Sequence, residues 1–291
     1  MNSVLVAAIN PIEQVETASQ IIKSAFHAPC LDYDARLLTW RFSTPSGLDP
    51  ISFMAYDDGR PSVFVCAMGH RVSVAGVERD IYISSFFSAK PGASPALPVS
   101  VLRSLTRALK SAGVPCLLFA QAGTAGEKML LPLRDYRQID DCQVYAGVGR
   151  VATGGVEVEE VRVDAWQGAY RDLSPENNQA IIPVLESAHY LHAPSDRRLL
   201  AVFRGSHIVG CAVHEQTRLS GGQVQSSLHH VRAVDAEAMR GLMAHCGGVT
   251  VLPNLHLGFS PALAGIRQTG ARYSAFLIGD LDATETWTEI I

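Results

Sequence analysis

ISFMAYDDGRPSVFVCAMGHRVSVAGVERDIYISSFFSAKPGASPALPVSVLRSLTRALK, residues Ile51–Lys110, is the stretch from which the fold of this 291-residue chain can be read. Ile51–Tyr56 and Ser62–Met68 are rich in β-branched and aromatic residues and flank Asp57-Asp58-Gly59, a strong hairpin signal. Arg71–Val74 and Val77–Ser88 continue the meander across Ala75-Gly76. A loop bearing proline and glycine follows. Ser94-Pro95 then reads as a cap plus first helical residue for Ala96–Ser111. Pro98 falls in the first turn, where a missing N–H is tolerated, and Ala112-Gly113 closes the helix.

Working outward, Ile12–His27 places Ile12, Val15, Ala18, Ile21, Ile22 and Ala25 on one face at helical period. Asp32–Phe42 reads as a second helix stopped by Thr44-Pro45-Ser46-Gly47. Downstream, Val114–Gln121 is predicted as a buried strand, Gly126–Leu133 as a short helix and Gln143–Val148 as a closing strand. The fold class is therefore α+β. Beyond Ala152-Thr153-Gly154-Gly155, Glu157–Ala165 reads as an edge or connecting strand, Pro175–Tyr190 as a helix and Ser195–Leu199 as the remnant of another.

Much of the plan recurs. AYDDGRPSVFVCAM (Ala55–Met68) lines up with AVFRGSHIVGCAVH (Ala201–His214), and Gly59 and Gly76 match Gly205 and Gly222 at an offset of 146. Gly113-Val114 and Arg137 match Gly248-Val249 and Arg272 at an offset of 135, so the second copy lacks about eleven residues between its third strand-turn pair and the next helix. Two domains are expected, 1–153 and 154–291, packed as a pseudo-dimer.

Composition narrows the function. Hydrophobic residues make up 47% and charged residues 18%, which suits a sizeable core, and a formal charge of −4 gives no basic excess for nucleic acid. Arg197, Arg198 and Arg204 leave a local basic patch open. Six cysteines without a CxxC pair read as free buried thiols in a reducing compartment. The N-terminus has no basic n-region and no run approaches a membrane span. A cytoplasmic protein is expected, with no membrane partner.

The order of elements resembles the GNAT superfamily of acyltransferases. LLTWRF…PSG is similar to that superfamily's second helix leading into its first hairpin, and AYDDGRPSVFV to the hairpin that follows. Residues Ala89–Leu102 lie over the signature V-x-P-x-x-R-G-x-G-x-G-x-x-L. Pro91 and Leu102 agree with it; Ser94 stands at the arginine and Pro95, Leu97 and Val99 at the glycines. The resemblance implies two tandem GNAT-like folds and acyl transfer from acetyl-CoA, another acyl-CoA or a carrier-protein thioester to a small-molecule amine. It implies cofactor contacts from the backbone of Phe87 and Ala89 and from Lys90, Ser94, Ala96 and Leu97. The substitutions add Cβ bulk and, at Pro95 and Pro98, remove donors from a helix start that would otherwise cradle a diphosphate. In the second copy Asp235 reads as the helix cap, and Asp235 and Glu237 would repel a phosphate.

Candidate catalytic residues are Ser84, near the position where the superfamily often carries a carboxylate base, Tyr82 on the same strand, and Tyr145 as an acid for the leaving thiolate. The plainer reading, which the sequence favours, is that Tyr82 and Ser84 are polar residues on the solvated face of a strand and that Tyr145 packs in the core or a hairpin. Glu78 and Asp80 are solvated acids that could reach a cleft, and Tyr136 is a packing aromatic. His189 and His192, three apart, lack the pattern of a metal site, and no metal is expected. His229 and His230 point to opposite faces of a regular strand; His230 lies opposite Ser84 in the repeat alignment and is a candidate base. The alternative is a non-catalytic protein in which two degenerate acyltransferase folds hold a ligand or assemble with partners, a homo-oligomer among them.

Overall fold

The computed structural model describes residues 5–26, 30–43, 46–149, 154–174, 180–183, 193–253, 255, 257–283 and 285–286. In chain order the elements are β1 (Leu5–Ala8), α1 (Val15–Ala25), α2 (Ala35–Phe42), β2 (Ile51–Asp57), β3 (Arg60–Val74), β4 (Val77–Ala89), α3 (Ala96–Ala112), β5 (Cys116–Gln121), α4 (Ala125–Leu130) and β6 (Arg137–Val148). There follow β7 (Glu157–Glu160), α5 (Val163–Asp172), β8 (Ala180–Pro183), β9 (Asp196–Arg204), β10 (His207–Arg218), β11 (Val224–Ala233), α6 (Ala236–Cys246), β12 (Val249–Pro253), a 3-10 turn (Pro261–Ala264), β13 (Ile266–Ile278) and β14 (Glu285–Thr286).

Both hairpins of the opening stretch form as read. Asp58 and Gly59, then Ala75 and Gly76, all take positive φ, the type I′ geometry whose twist suits adjoining antiparallel strands. Thr124 caps α4 through the Glu127 N–H while Glu127 Oε2 accepts from Gly123 N, one residue ahead of the cap, at 2.7 Å, a variant of the capping box.

Four expectations give way. Asp196–Arg204 is a strand rather than a helix remnant, and Ala180–Pro183, inside the helix expected over Pro175–Tyr190, is also a strand. The remainder of that segment, with His189 and His192, lies outside the described residues. Val163–Asp172 is a helix on which Trp166, Ala169 and Tyr170 are buried, a helical spacing hidden behind the strand-like EVEEVRV. The material missing from the second copy is split. The connection Lys90–Pro95 shrinks to Val234–Asp235, and the helix itself shortens from 17 to 11 residues.

One sheet path runs β1-β2-β3-β4-β5-β13-β6-β12-β11-β10-β9-β7. Paired as β1/β7, β2/β9, β3/β10, β4/β11, β5/β12 and β6/β13, the order reads alike from both ends. The two closing strands are interleaved at its centre: β13 pairs with β5, and β6 with β12. We call the two ends the N-terminal and C-terminal arms. A reciprocal clasp joins them. Leu31, ahead of α2, bridges Leu219 beyond β10, while β8 pairs with the distal end of β3 at Val72 and Ser73.

In the N-terminal arm α3 covers one face, with Leu97, Val101 and Leu105 fully buried against Val63, Val65 and Leu118. α1 and α2 cover the other face, where Ile21, Ile22, Leu38 and Phe42 meet Met54, Phe64 and Phe86. α6 and α5 cover the corresponding faces of the C-terminal arm. The face under α1, α2 and α5 is called inner below. The six cysteines are unpaired, and burial pushes the Cys66 and Cys211 thiols up to about 12, so they are packing groups. No described helix is long and apolar enough to cross a membrane.

Candidate functional site

β4 and β5 run parallel and pair only at Tyr82–Cys116, Ile83–Leu117 and Ser84–Leu118, although β4 continues to Ala89 and β5 to Gln121. Past Ser84 the strands part. Beside the parting, β4 carries a bulge: its register with β3 shifts between Phe64–Ser88 and Cys66–Ser85, and Phe86 takes φ 62°. A phenylalanine in the left-handed region is strained by of order 1–3 kcal/mol, and the packing around it must hold it there. It is wedged edge-on against Tyr33 and Phe42, with ring centroids 5.7 and 5.9 Å away.

The bulge reverses strand phase. Ser85 and Phe86 both face inward, because their neighbours Cys66 and Phe64 belong to the inner core, whereas Ser84 lies across from Ala67 on the α3 face. Ser88, across from Phe64, also faces inward; it is 2% exposed and its Oγ has no partner among the described residues.

Lys90-Pro91-Gly92-Ala93 forms a turn with Gly92 at φ 83°, and α3 begins after it. A helix start leaves four N–H groups without intrahelical acceptors. At α3 these positions are Pro95, Ala96, Leu97 and Pro98. Two have no N–H, and Leu97 N donates to Ser94 O at 3.0 Å, which leaves Ala96. Pro95, rather than Ser94, is the N-cap residue; no side chain caps the helix and no acid sits in its first turn. Ser94 N donates to Asp57 Oδ2 at 3.3 Å and Lys90 N to Ser62 O at 2.8 Å.

The C-terminal arm repeats this geometry with other side chains. β11 and β12 pair only at Ser226–Thr250 and Ser227–Val251 and then part. The β10 register shifts between Cys211–Arg232 and Val213–His229, with His230 at φ 50°. His230 therefore occupies the place of Phe86, not of Ser84, and packs edge-on to Trp166 and Tyr170 at 6.2 and 6.4 Å. His229 lies on the same inner face as His230, contrary to the strand-phase expectation, for the same reason as Ser85 and Phe86. The helix start is filled: Asp235 Oδ1 accepts from Glu237 N and Ala238 N at 3.0 and 2.9 Å, and Arg204 bridges Asp235 and Glu237.

Solved structures similar to this chain include acyltransferases. The N-myristoyltransferase of Saccharomyces cerevisiae, with bound myristoyl-CoA, superposes with a TM-score of 0.65 over 98% of this chain and 85% of its own, at 10% identity. A GCN5-related N-acetyltransferase from Anabaena variabilis does so with a TM-score of 0.62 over 94% and 72%, at 8% identity. The chain has a GNAT-like acyltransferase fold. No family model matches the sequence, and no curated protein matches it either.

Within this GNAT-like fold the expected site residues separate. Ser84, Tyr82, Phe87, Ala89, Lys90, Ser94 and Ala96 gather around the β4–β5 parting and the α3 start. Leu97 is set apart from them: its side chain is fully buried in the core and its N–H donates to Ser94 O. Tyr82 donates to Asp49 O at 3.1 Å, and burial, then the Asp49 carboxylate, pushes its phenol up. Tyr145 is not with them. It pairs with Leu252 and Gln268 and packs on the C-terminal arm's core. Tyr136 packs as read, its OH 2.6 Å from Thr106 Oγ1. The basic patch dissolves: Arg198 meets Asp196, Arg204 meets Asp235 and Glu237, and Arg197 is buried against Glu215.

That last pair anchors a network the sequence did not disclose. Glu215 Oε1 accepts from Ser195 Oγ at 2.6 Å and from Arg197 Nη2 at 3.1 Å; Oε2 accepts from Arg197 Nη2 at 3.1 Å and lies 3.2 Å from His229 Nε2. Burial alone would raise the Glu215 carboxyl, but Arg197 and the His229 hydrogen bond hold it well below the usual carboxylate range. The Arg197 guanidinium also lies 4.6 Å over the indole of Trp40 on α2, so the network stands where the N-terminal arm's helix touches the C-terminal arm.

Proposed function

We propose that the chain transfers an acyl group from an acyl-CoA to an amine, at the β4–β5 parting of the N-terminal arm. The observation carrying this reading is a parted pair of strands beside a strained bulge and an uncapped helix start, in a fold shared with acyltransferases. Main-chain groups along Ser85–Ala89 would receive the thioester arm. The Ala96 N–H, the α3 dipole and Lys90 would face its phosphates. Positioning and main-chain polarisation would supply most of the rate, since Ser84 is no base and the proton of Tyr82 is directed at Asp49. The interleaved, end-to-end order of the sheet supports an origin by duplication, with units 1–153 and 154–291 and only the first keeping room for a diphosphate.

Titration with acetyl-CoA and with longer acyl-CoAs, followed by melting temperature, tests this; saturation at a hundredfold over Kd should add about 2.7 kcal/mol. Pro98→Ala restores a first-turn donor and should enlarge the response. Absence of any shift favours the second reading, a binding protein without transferase activity, for which the sparse donors of α3 are the specific observation.

A further inference from the structure

The β4–β5 parting has two sides, and they are not alike. On the α3 side, Ser84 and Leu118 at its base are 4% and 5% exposed. On the inner side Ser85, next along β4, and Phe119, next along β5, are both partly exposed, and Gln121 at the end of β5 is exposed. With the phosphates at the α3 start, the acyl end of a thioester arm running along Ser85–Ala89 lies at the base of the parting. It meets the acceptor on the inner side, because the α3 side is packed shut.

A residue from the far half of the chain stands on that inner side. Tyr273 of β13 pairs with Gln121 of β5, and Ala275 pairs with Phe119. Phe119 and Tyr273 are thus diagonal neighbours on one face, a spacing that aromatic side chains span, and both pack on the inner cluster of Ile83, Leu117 and Ala275. Tyr273 is only partly buried. Its phenol is felt electrostatically at Tyr33, whose ring abuts Phe86 at 5.7 Å, so the side chain reaches from β13 toward the bulge on β4. Burial pushes that phenol up, which leaves it uncharged near neutral pH. Phe86, 5% exposed, bounds the opposite side.

We propose that Tyr273 closes the inner side of the parting and, with Phe119 and Phe86, sets the size of the acyl group that the N-terminal arm accepts. This rests on the acyl-transfer reading for the identity of the ligand. Three rings around the base of the parting suit a short acyl chain, since a longer one has to displace a packed ring. Tyr273 acts through that ring as a specificity-determining residue, and its hydroxyl is dispensable. The site is therefore not contained in residues 1–153. β13 completes it from the second half of the chain, through the same interleaving that closes the sheet.

The test titrates full-length protein with acetyl-CoA, butyryl-CoA and octanoyl-CoA by calorimetry. The parent should bind acetyl-CoA more tightly than octanoyl-CoA. Tyr273→Ala should shift the ratio of butyryl-CoA to acetyl-CoA affinity about tenfold toward butyryl, the worth of two newly buried methylenes. Tyr273→Phe, which keeps the ring, should restore the parent's preference. In fluorotyrosine-labelled protein the Tyr273 resonance, assigned by its loss in Tyr273→Phe, should move further with acetyl-CoA than with coenzyme A, while that of Tyr145 stays in place. A parent that prefers octanoyl-CoA overturns the proposal, and so does an unmoved Tyr273 resonance under saturating acetyl-CoA. Equal weakening of acetyl-CoA and butyryl-CoA in Tyr273→Ala would make Tyr273 a packing residue and overturn it too. Should that variant fail to fold, the resonance in the parent protein decides alone. Binding of acyl-CoA without movement at Tyr273 sinks this inference and leaves the transferase reading standing; no binding of any acyl-CoA sinks both.

Discussion

The arms share a backbone plan and differ at the same two places, the bulge and the helix that follows it. At α3 no side chain caps the helix, and prolines delete half of the first-turn donors; at α6 Asp235 occupies the donors and Arg204 secures the carboxylate. At the bulges, Phe86 sits in an apolar setting while His230 adjoins a buried ionic network. One backbone thus carries an uncapped helix start in one arm and a capped one with a polar inner face in the other. The fold supplies the parting of strands; the side chains decide what each parting can hold.

The comparison breaks most visibly at Arg197. Arg197→Met leaves Glu215 buried without its guanidinium and should cost about 3–5 kcal/mol in chemical denaturation, whereas Met68→Leu, at the place matching Glu215, should cost under about 1.5 kcal/mol. Equal losses would mean the network contributes no more than packing. A smaller contrast is expected at the helix starts. Asp235→Ala should lose about 1 kcal/mol with its cap, while Ser94→Ala should stay within about 0.5 kcal/mol because Ser94 caps nothing with its side chain.

Smallest is a pH effect confined to the C-terminal arm. His214, hydrogen-bonded to Ser226 Oγ at 3.0 Å, has its pKa lowered by burial and then by Arg198 and His245, against the pull of Asp196. Its folded pKa lies below its unfolded one, so the unfolded chain binds the extra proton first. The stability is complete above the ordinary histidine range and is lost as pH falls through it toward the folded value. Melting temperature should drop between pH 7.5 and 5.5, and His214→Asn should flatten that drop.

The meander, both type I′ turns and the closure of α3 at Gly113 were legible because local residues dictate them. So was the Asp235 cap. The phase of β4 and β11 beyond the bulges was not. A bulge adds one residue to one strand, and neither SSFF nor LHHV carries a glycine or proline to announce it. That single residue turns Ser85 and Ser88, and His229 along with His230, onto the inner face. The Glu215 network was hidden for a different reason: its members come from β9 and the residue before it, β10 and β11, and only the register joins them. Leu97 buries its side chain in the core, which alignment to a glycine position does not disclose.

The interleaving of β6 and β13 bears on how the chain is made. β5 has no neighbour on its far edge until Ile266–Ile278 has been synthesised, and β6 is flanked on both sides by strands that come after it. The first half of the polypeptide therefore leaves the ribosome with an unsatisfied strand edge, and the sheet closes only after contacts between residues far apart in sequence. Separate expression of 1–153 and 154–291 should give two aggregation-prone fragments that recover structure when refolded together, a slow assembly step that the intact chain performs within itself.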